Sequence, residues 1–241
     1  MLLDKLYIVI PAYNEEENIE TAAREWHEVA AQAGADSRIT IFDDGSRDST
    51  YARLQALQEE LPQLKAITKP NGGHGATVLY GYRHALENGA DYVFQTDSDG
   101  QTIPSEFWQF WENRADYDAQ IGYRKNRQDG FSRVFVTKTL KLTLFLCFGL
   151  WITDANTPFR LMKRETLETL LPRIPLDYNL SNVLLTVLME KTKARLRYLP
   201  ITFRLRQGGV NSINMKRIFQ IGKQAVKDFM SLRKAVNEVK M

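Results

Sequence analysis

Two aspartates stand one residue apart in the run Thr96-Asp97-Ser98-Asp99-Gly100-Gln101. Their hard carboxylate oxygens suit Mg²⁺ or Mn²⁺, ions that take few protein carboxylates and complete their shells with substrate phosphates. A cation held there would neutralise a diphosphate leaving group as the sugar–phosphate bond breaks. Alone the pair is a weak signal, because solvated loop carboxylates are far commoner than metal sites. Two further segments carry polar groups of the same character. Asp43-Asp44-Gly45-Ser46 offers carboxylates that can accept hydrogen bonds from a ribose or base, although Asp-Gly-Ser is also ordinary turn chemistry. Asn71-Gly72-Gly73-His74-Gly75 lets a backbone approach a ligand closely. Its glycine spacing is not that of the dinucleotide fingerprint, and no Walker A pattern is present, which argues against an ATPase.

The elements that must position these groups alternate along the first hundred residues. Leu6 to Ile10 reads as a buried parallel strand closed by Pro11, and Glu16 to Ala33 as a helix ended by Gly34. A strand from Ser37 to Phe42 precedes a helix capped by Asp48 or Ser49 and running to about Glu60. Leu64 to Thr68, a helix from Ala76 to Asn88, and a strand from Tyr92 to Thr96 follow. This alternation predicts an α/β fold with a doubly wound, mostly parallel sheet flanked by helices. Ligands of such sheets bind beyond the carboxyl ends of the strands, so Asn14, Asp44, Asn71 and Asp97 should meet on one rim.

Beyond Gly100 the pattern loosens. Pro104 to Arg114 reads as a helix packing Phe107, Trp108, Phe110 and Trp111 into the core, and Ala119 to Tyr123 as a strand. Phe131 to Leu150 is a long apolar or amphipathic helix, and Ile152 to Met162 is irregular or strand. Helices are predicted over Arg164–Leu170 and Leu180–Lys191, and an extended strand over Arg195–Leu205, interrupted by Pro200. A basic terminal helix covers Ile213 to Val239.

Taken in order, the segments Tyr7 to Glu16, Phe42 to Thr50, Asn71 to Ala76 and Gln95 to Gln101 resemble family 2 glycosyltransferases. Within that family the chain resembles the branch of dolichol-phosphate mannose synthases and polyprenyl-phosphate glycosyltransferases. Ser132-Arg133, Asp154 to Arg160 and Phe203 to Gly209 extend the resemblance over nearly the whole chain. It implies a GT-A-type fold, an inverting transfer and a divalent cation. Position by position, it implies that Pro11, Ala12, Tyr13, Glu15, Asp44, Asn71 and Ser98 line the nucleotide. Asp97, Asp99 and Gln101 would surround the metal and diphosphate, and Arg133 and Arg206 would face donor or acceptor phosphates. The chain departs from the synthase pattern at Thr157-Pro158-Phe159, in the loop on the acceptor side, where small residues and glycine commonly precede the phenylalanine.

Composition fits this reading. The chain has 241 residues, 44% hydrophobic and 25% charged, and suits one α/β catalytic domain over 1–212 with a basic, amphipathic C-terminal helix over 213–241. One cysteine, Cys147, excludes an intrachain disulfide framework and reads as packing. Asp4 and Lys5 interrupt the start, which does not read as a signal peptide, and no apolar run reaches the length of a spanning helix. The expected location is cytoplasmic, peripheral on the cytoplasmic face of a membrane, with Phe131 to Ile152 at the interface or, alternatively, in the core. Dependence on a separate membrane-protein partner is the alternative arrangement. Net charge is only +3, yet basic residues crowd the second half, where Arg124, Arg127, Arg133, Arg204 and Arg206 can clamp an anionic acceptor. No nucleic-acid-binding motif accompanies them.

A lipid phosphate is ionised at neutral pH and needs no general base, whereas a sugar hydroxyl needs one, for which Asp154 is the candidate. Asp154 can equally be a loop carboxylate paired to Arg160. His74 can reach a phosphate, while His27 and His84 read as surface residues of helices. The expected activity is therefore transfer from a UDP- or GDP-linked sugar to polyprenyl phosphate. Transfer to a saccharide hydroxyl is the alternative, with a nucleotidyltransferase or a non-catalytic nucleotide-sugar-binding module behind it.

Overall fold

The computed structural model describes the backbone of residues 4–124, 131–204 and 215–237, without the side chains of 131–137, 215–221, 235 and 237. Leu6–Ala12 (β1), Arg38–Asp43 (β2), Leu64–Thr68 (β3) and Tyr92–Gln95 (β4) are parallel strands. They are linked by helices Ile19–Ala33 (α1), Thr50–Glu60 (α2) and His74–Glu87 (α3). A short helix, Trp108–Trp111 (α4), precedes Ala119–Arg124 (β5) and Phe131–Phe148 (α5). Arg160–Lys163 (β6), Arg164–Leu170 (α6), Ser181–Lys191 (α7), Leu196–Ile201 (β7) and Met215–Asn237 (α8) complete the described elements. The strand order is β3-β2-β1-β4-β6-β5-β7, with β6 antiparallel to both neighbours. The sheet is thus doubly wound and mostly parallel, as the alternation predicts.

Each departure from the expected elements has a local cause. The α1 helix begins at Ile19 rather than Glu16, because the Glu15 carbonyl first accepts the Asn18 and Ile19 amides in a turn. Ser49 holds the N-cap position of α2 without a side-chain capping bond, and Asp48 supplies one beside it: its Oδ1 accepts the Thr50 amide at 3.0 Å and the Thr50 hydroxyl at 2.6 Å. The expected helix over 104–114 is broken into Trp108–Trp111 and two flanking 3₁₀ turns. Pro200 does not interrupt β7. That strand lies at the sheet edge, where a residue without an N–H costs no ladder bond.

The two faces of the sheet carry separate cores. On one, Trp26 of α1 meets Phe94 at 5.2 Å, and Phe94 meets Phe159 at 4.7 Å and Phe107 at 5.0 Å. On the other, α3, α7 and the α5–α8 pair pack together, with Phe148 against Phe229 at 5.7 Å. Cys147 is buried in that second core.

Candidate active site

The segments after β1, β2, β3 and β4 are bonded to one another. The Ser98 hydroxyl donates to the Pro11 carbonyl at 2.9 Å, and the Asp44 amide to the Ala12 carbonyl at 2.8 Å. Asn14, at φ +53°, accepts the Arg47 amide on Oδ1 and donates its own amide to Ser46 Oγ. Asn71 Nδ2 donates to the Asp44 carbonyl at 2.8 Å. His74 Nε2 lies 3.1 Å from Asp97 Oδ1, which joins the glycine loop to the paired aspartates. Parallel strands deliver these groups to one end of the sheet, so segments up to 87 residues apart share a rim. Tyr13 is exposed there and Glu15 half-buried, its Oε2 accepting Asn18 Nδ2 at 2.8 Å.

Asp44 is only 3% exposed and organises the glycine loop. Its Oδ1 accepts the Gly72 amide and the Lys69 ammonium, and its Oδ2 accepts the Gly73 amide. Burial by itself would raise this carboxyl's pKa, but the Lys69 ammonium and the Gly72 amide outweigh it and hold the group below its ordinary value. Gly45 makes the approach possible. At φ +70°, it would bring a Cβ to 3.0 Å from the Asn71 amide nitrogen. Lys69 is a member of the site that the sequence reading missed; its only signal is a cation two residues before the loop asparagine.

Asp97 is 32% exposed and Asp99 is half-buried, with its Oδ1 accepting the Gln101 amide at 3.1 Å. Gln101 is tied to the far side of the sheet: its Nε2 donates to the Arg204 carbonyl, and its own carbonyl accepts the Arg204 amide. Among the described residues, no three His, Cys, Asp or Glu side chains gather closely enough to enclose an ion. Two partly exposed carboxylates fit an ion that completes its shell with phosphate and water oxygens. Desolvation works to lower the His74 pKa, although 53% of the side chain is exposed; the bond to Asp97 and the charges of Asp97, Asp44 and Asp99 hold the imidazole above its ordinary value.

Residues 7–171 match the family model described as glycosyl transferase family 2. The chain belongs to that family. An undecaprenyl-phosphate 4-deoxy-4-formamido-L-arabinose transferase of Pseudomonas fluorescens is 30% identical over 172 residues, covering 68% of this chain and 48% of that protein. The protein of the same name from Sodalis glossinidius is 29% identical over 174 residues, 71% of this chain and 52% of that one. The chain spans about half the length of the curated relatives it matches. Glucosyl-3-phosphoglycerate synthase from Mycobacterium tuberculosis, solved with Mn²⁺, UDP-glucose and phosphoglyceric acid, gives a TM-score of 0.70 at 16% identity. That match covers 96% of this chain and 80% of the other, and the shared fold is the GT-A arrangement.

In this family 2 glycosyltransferase the expected phosphate-facing arginines divide. Arg133 lies in α5 with its side chain outside the described set, and Arg127 and Arg206 fall outside the described residues. Arg204 is a strut: its Nη1 and Nη2 fork onto Glu25, and Nη2 also donates to the Thr102 carbonyl. Arg124 stacks its guanidinium 3.8 Å above the Phe203 ring. Asp154 is not paired to Arg160, whose donors all go elsewhere; its Oδ1 accepts the Asn156 amide at 3.3 Å. His27 and His84 are half-buried rather than surface residues, and His84 packs its ring edge on Phe42 at 5.6 Å.

Proposed function

We propose that this glycosyltransferase moves a sugar from a UDP- or GDP-linked donor to polyprenyl phosphate with inversion. The observation that carries the donor half is the bonded rim in which Asp44 holds the glycine loop and His74 ties that loop to Asp97. In this reading the rim, with Pro11, Ala12, Tyr13, Glu15, Asn71 and Ser98, cradles the nucleotide. Asp97 and Asp99, supported by Gln101, hold Mg²⁺ or Mn²⁺, which supplies charge neutralisation for the departing diphosphate. The bond from the sugar's anomeric carbon to the diphosphate breaks, and one from that carbon to an acceptor phosphate oxygen forms. No proton has to be removed, because the acceptor is already ionised. Arg133 and Arg206 face its charge, and the Asp154–Thr157 turn forms the acceptor side. The relatives named as undecaprenyl-phosphate transferases support this half.

A peripheral seat on a membrane accords with such an acceptor. Trp151, just beyond α5, is 71% exposed, Leu146 of α5 65% and Met230 of α8 66%. Lys138, Lys223, Lys227, Arg233 and Lys234 are exposed along the same two helices. Apolar side chains bordered by cations suit an anionic bilayer surface. Among the described residues no helix is long and apolar enough to cross a membrane.

The deciding assay offers UDP- and GDP-sugars with undecaprenyl phosphate, the free polyprenol or a saccharide, with Mg²⁺, Mn²⁺ or chelator. Transfer to the phosphate alone, lost on chelation and reduced at least about a thousandfold in Asp99→Ala, is the expected result. Transfer only to hydroxyl acceptors would sink the lipid-phosphate reading, and a fully active Asp99→Ala would sink the site.

A further inference from the structure

Arg160 opens β6 beside Gln95 of β4, and its side chain is completely buried. A buried guanidinium is costly unless its donors are satisfied. Here all five N–H groups are. Nε donates to the Thr157 carbonyl at 3.0 Å, and Nη2 to the Thr157 and Ala155 carbonyls at 2.6 and 3.2 Å. Nη1 donates to the Asn182 carbonyl at 3.2 Å and to Thr186 Oγ1 at 3.3 Å. None of these acceptors is a carboxylate. Burial works against the charge, while Tyr82, Asp154, Tyr198 and Asp97 work for it, and arginine stays protonated in such surroundings.

With every donor taken, Arg160 has none to offer a substrate. Its bonds instead go to two places: three to the turn at 155–157 and two to α7. The α7 end packs beside the donor side, in contact with a hydroxyl whose one hydrogen is given to β4. Asn182 Oδ1 lies 3.4 Å from the Tyr82 hydroxyl of α3, which donates to Gln95 Oε1, two residues before Asp97.

We infer that Arg160 is a positioning residue that fixes the Asp154–Thr157 turn against the Asp97 end of β4, and so sets the acceptor's place relative to the donor. The inference rests on the proposed reading of that turn as the acceptor side. A planar five-donor fork can hold two carbonyls of one turn and a helix at once; a lysine ammonium has three donors and no fixed plane. A misplacement of about 1 Å is enough to cost roughly a hundredfold in transfer.

The test compares Arg160→Met, Arg160→Lys and Thr186→Val in the full chain. Donor affinity is measured by calorimetry, transfer kinetics with undecaprenyl phosphate, and backbone exchange by deuterium uptake. In the arginine variants the KM for acceptor should rise about tenfold or more while the donor Kd stays within about twofold. Thr186→Val, which leaves the charge but removes one acceptor of Arg160 and the threonine's own reach to the Ala155 and Asn182 carbonyls, should shift acceptor KM the same way by less. Amides at 154–157 should exchange faster, with those of β4 unchanged. Arg160→Lys should not restore the wild-type KM. Normal acceptor KM and normal exchange in Arg160→Met would overturn the inference, as would donor and acceptor binding weakening together in step with lost stability. If Arg160→Met does not fold, Arg160→Lys decides by the same readouts. Should the wild type transfer nothing to undecaprenyl phosphate, the acceptor reading fails, and exchange at 154–157 still decides whether Arg160 positions the turn.

Discussion

Asp44 and Lys69 show how far a residue's type is from its task. A strand-end aspartate is an obvious candidate for touching a nucleoside, yet both oxygens of this one hold the protein's own loop. Removing the ammonium would leave a nearly buried carboxylate facing two amides. Lys69→Met should therefore cost roughly 2–3 kcal/mol of stability and raise donor KM about tenfold with a smaller change in kcat. Denaturant titration and steady-state kinetics check this, and an unchanged donor KM would detach the loop from donor binding. His84 carries a pH prediction. Burial, with Lys65 second, lowers its pKa, so the folded state resists protonation more than the unfolded chain does. That contribution is full above the unfolded pKa of about 6.5 and is lost as pH falls through the lower folded value. His84→Gln should accordingly gain stability relative to wild type between about pH 7 and 5.5. Thermal midpoints that run parallel over that range would refute the assignment.

At the scale of elements, the site depends on how closely α3 approaches its neighbours. Gly75, in its first turn, packs against the 178–179 segment that leads into α7. A Cβ there would fall 2.2 Å from the Asn179 carbonyl oxygen and 2.3 Å from that of Tyr178. Both obstacles are backbone, so the clash cannot be relieved by a rotamer change. Gly75→Ala should destabilise by about 3 kcal/mol and loosen the loop that carries His74. A loss below about 0.5 kcal/mol by chemical denaturation would mean that the segment yields freely. Most elements were legible in the sequence because period and punctuation agree there: β3 and α6 have the bounds expected of them. The 104–114 stretch was not, because its aromatics serve the core of the first face through their contacts rather than through helical spacing.

For the whole molecule, α8 packs along α5, so the basic terminal helix is docked on the fold, and each helix carries exposed apolar side chains. Binding to vesicles containing anionic lipid should weaken with salt, and Leu146→Glu with Met230→Glu should reduce it at least about tenfold. Equal flotation of the double variant and the wild type would show that this surface does not face lipid. The α/β class, the sheet's parallel half and the rim that gathers Asn14, Asp44, Asn71 and Asp97 are all legible from strand, punctuation and helix in order.

The Asp97-Ser98-Asp99 run, the glycine loop and the family resemblance are local strings, and local strings survive in a sequence whatever surrounds them. They determined the fold class, the family and the candidate donor side. Which groups stay available for a ligand was decided only by packing. Asp44 is spent on Lys69 and two amides, Arg204 on Glu25, and Arg160 on the Asp154–Thr157 turn. The partners of Asp44 and Arg204 lie 25 and 179 residues away along the chain, and Arg160's α7 partners 22 and 26. Hydrogen bonding saturates a group through neighbours that the tertiary structure brings near, and no spacing in the sequence records that.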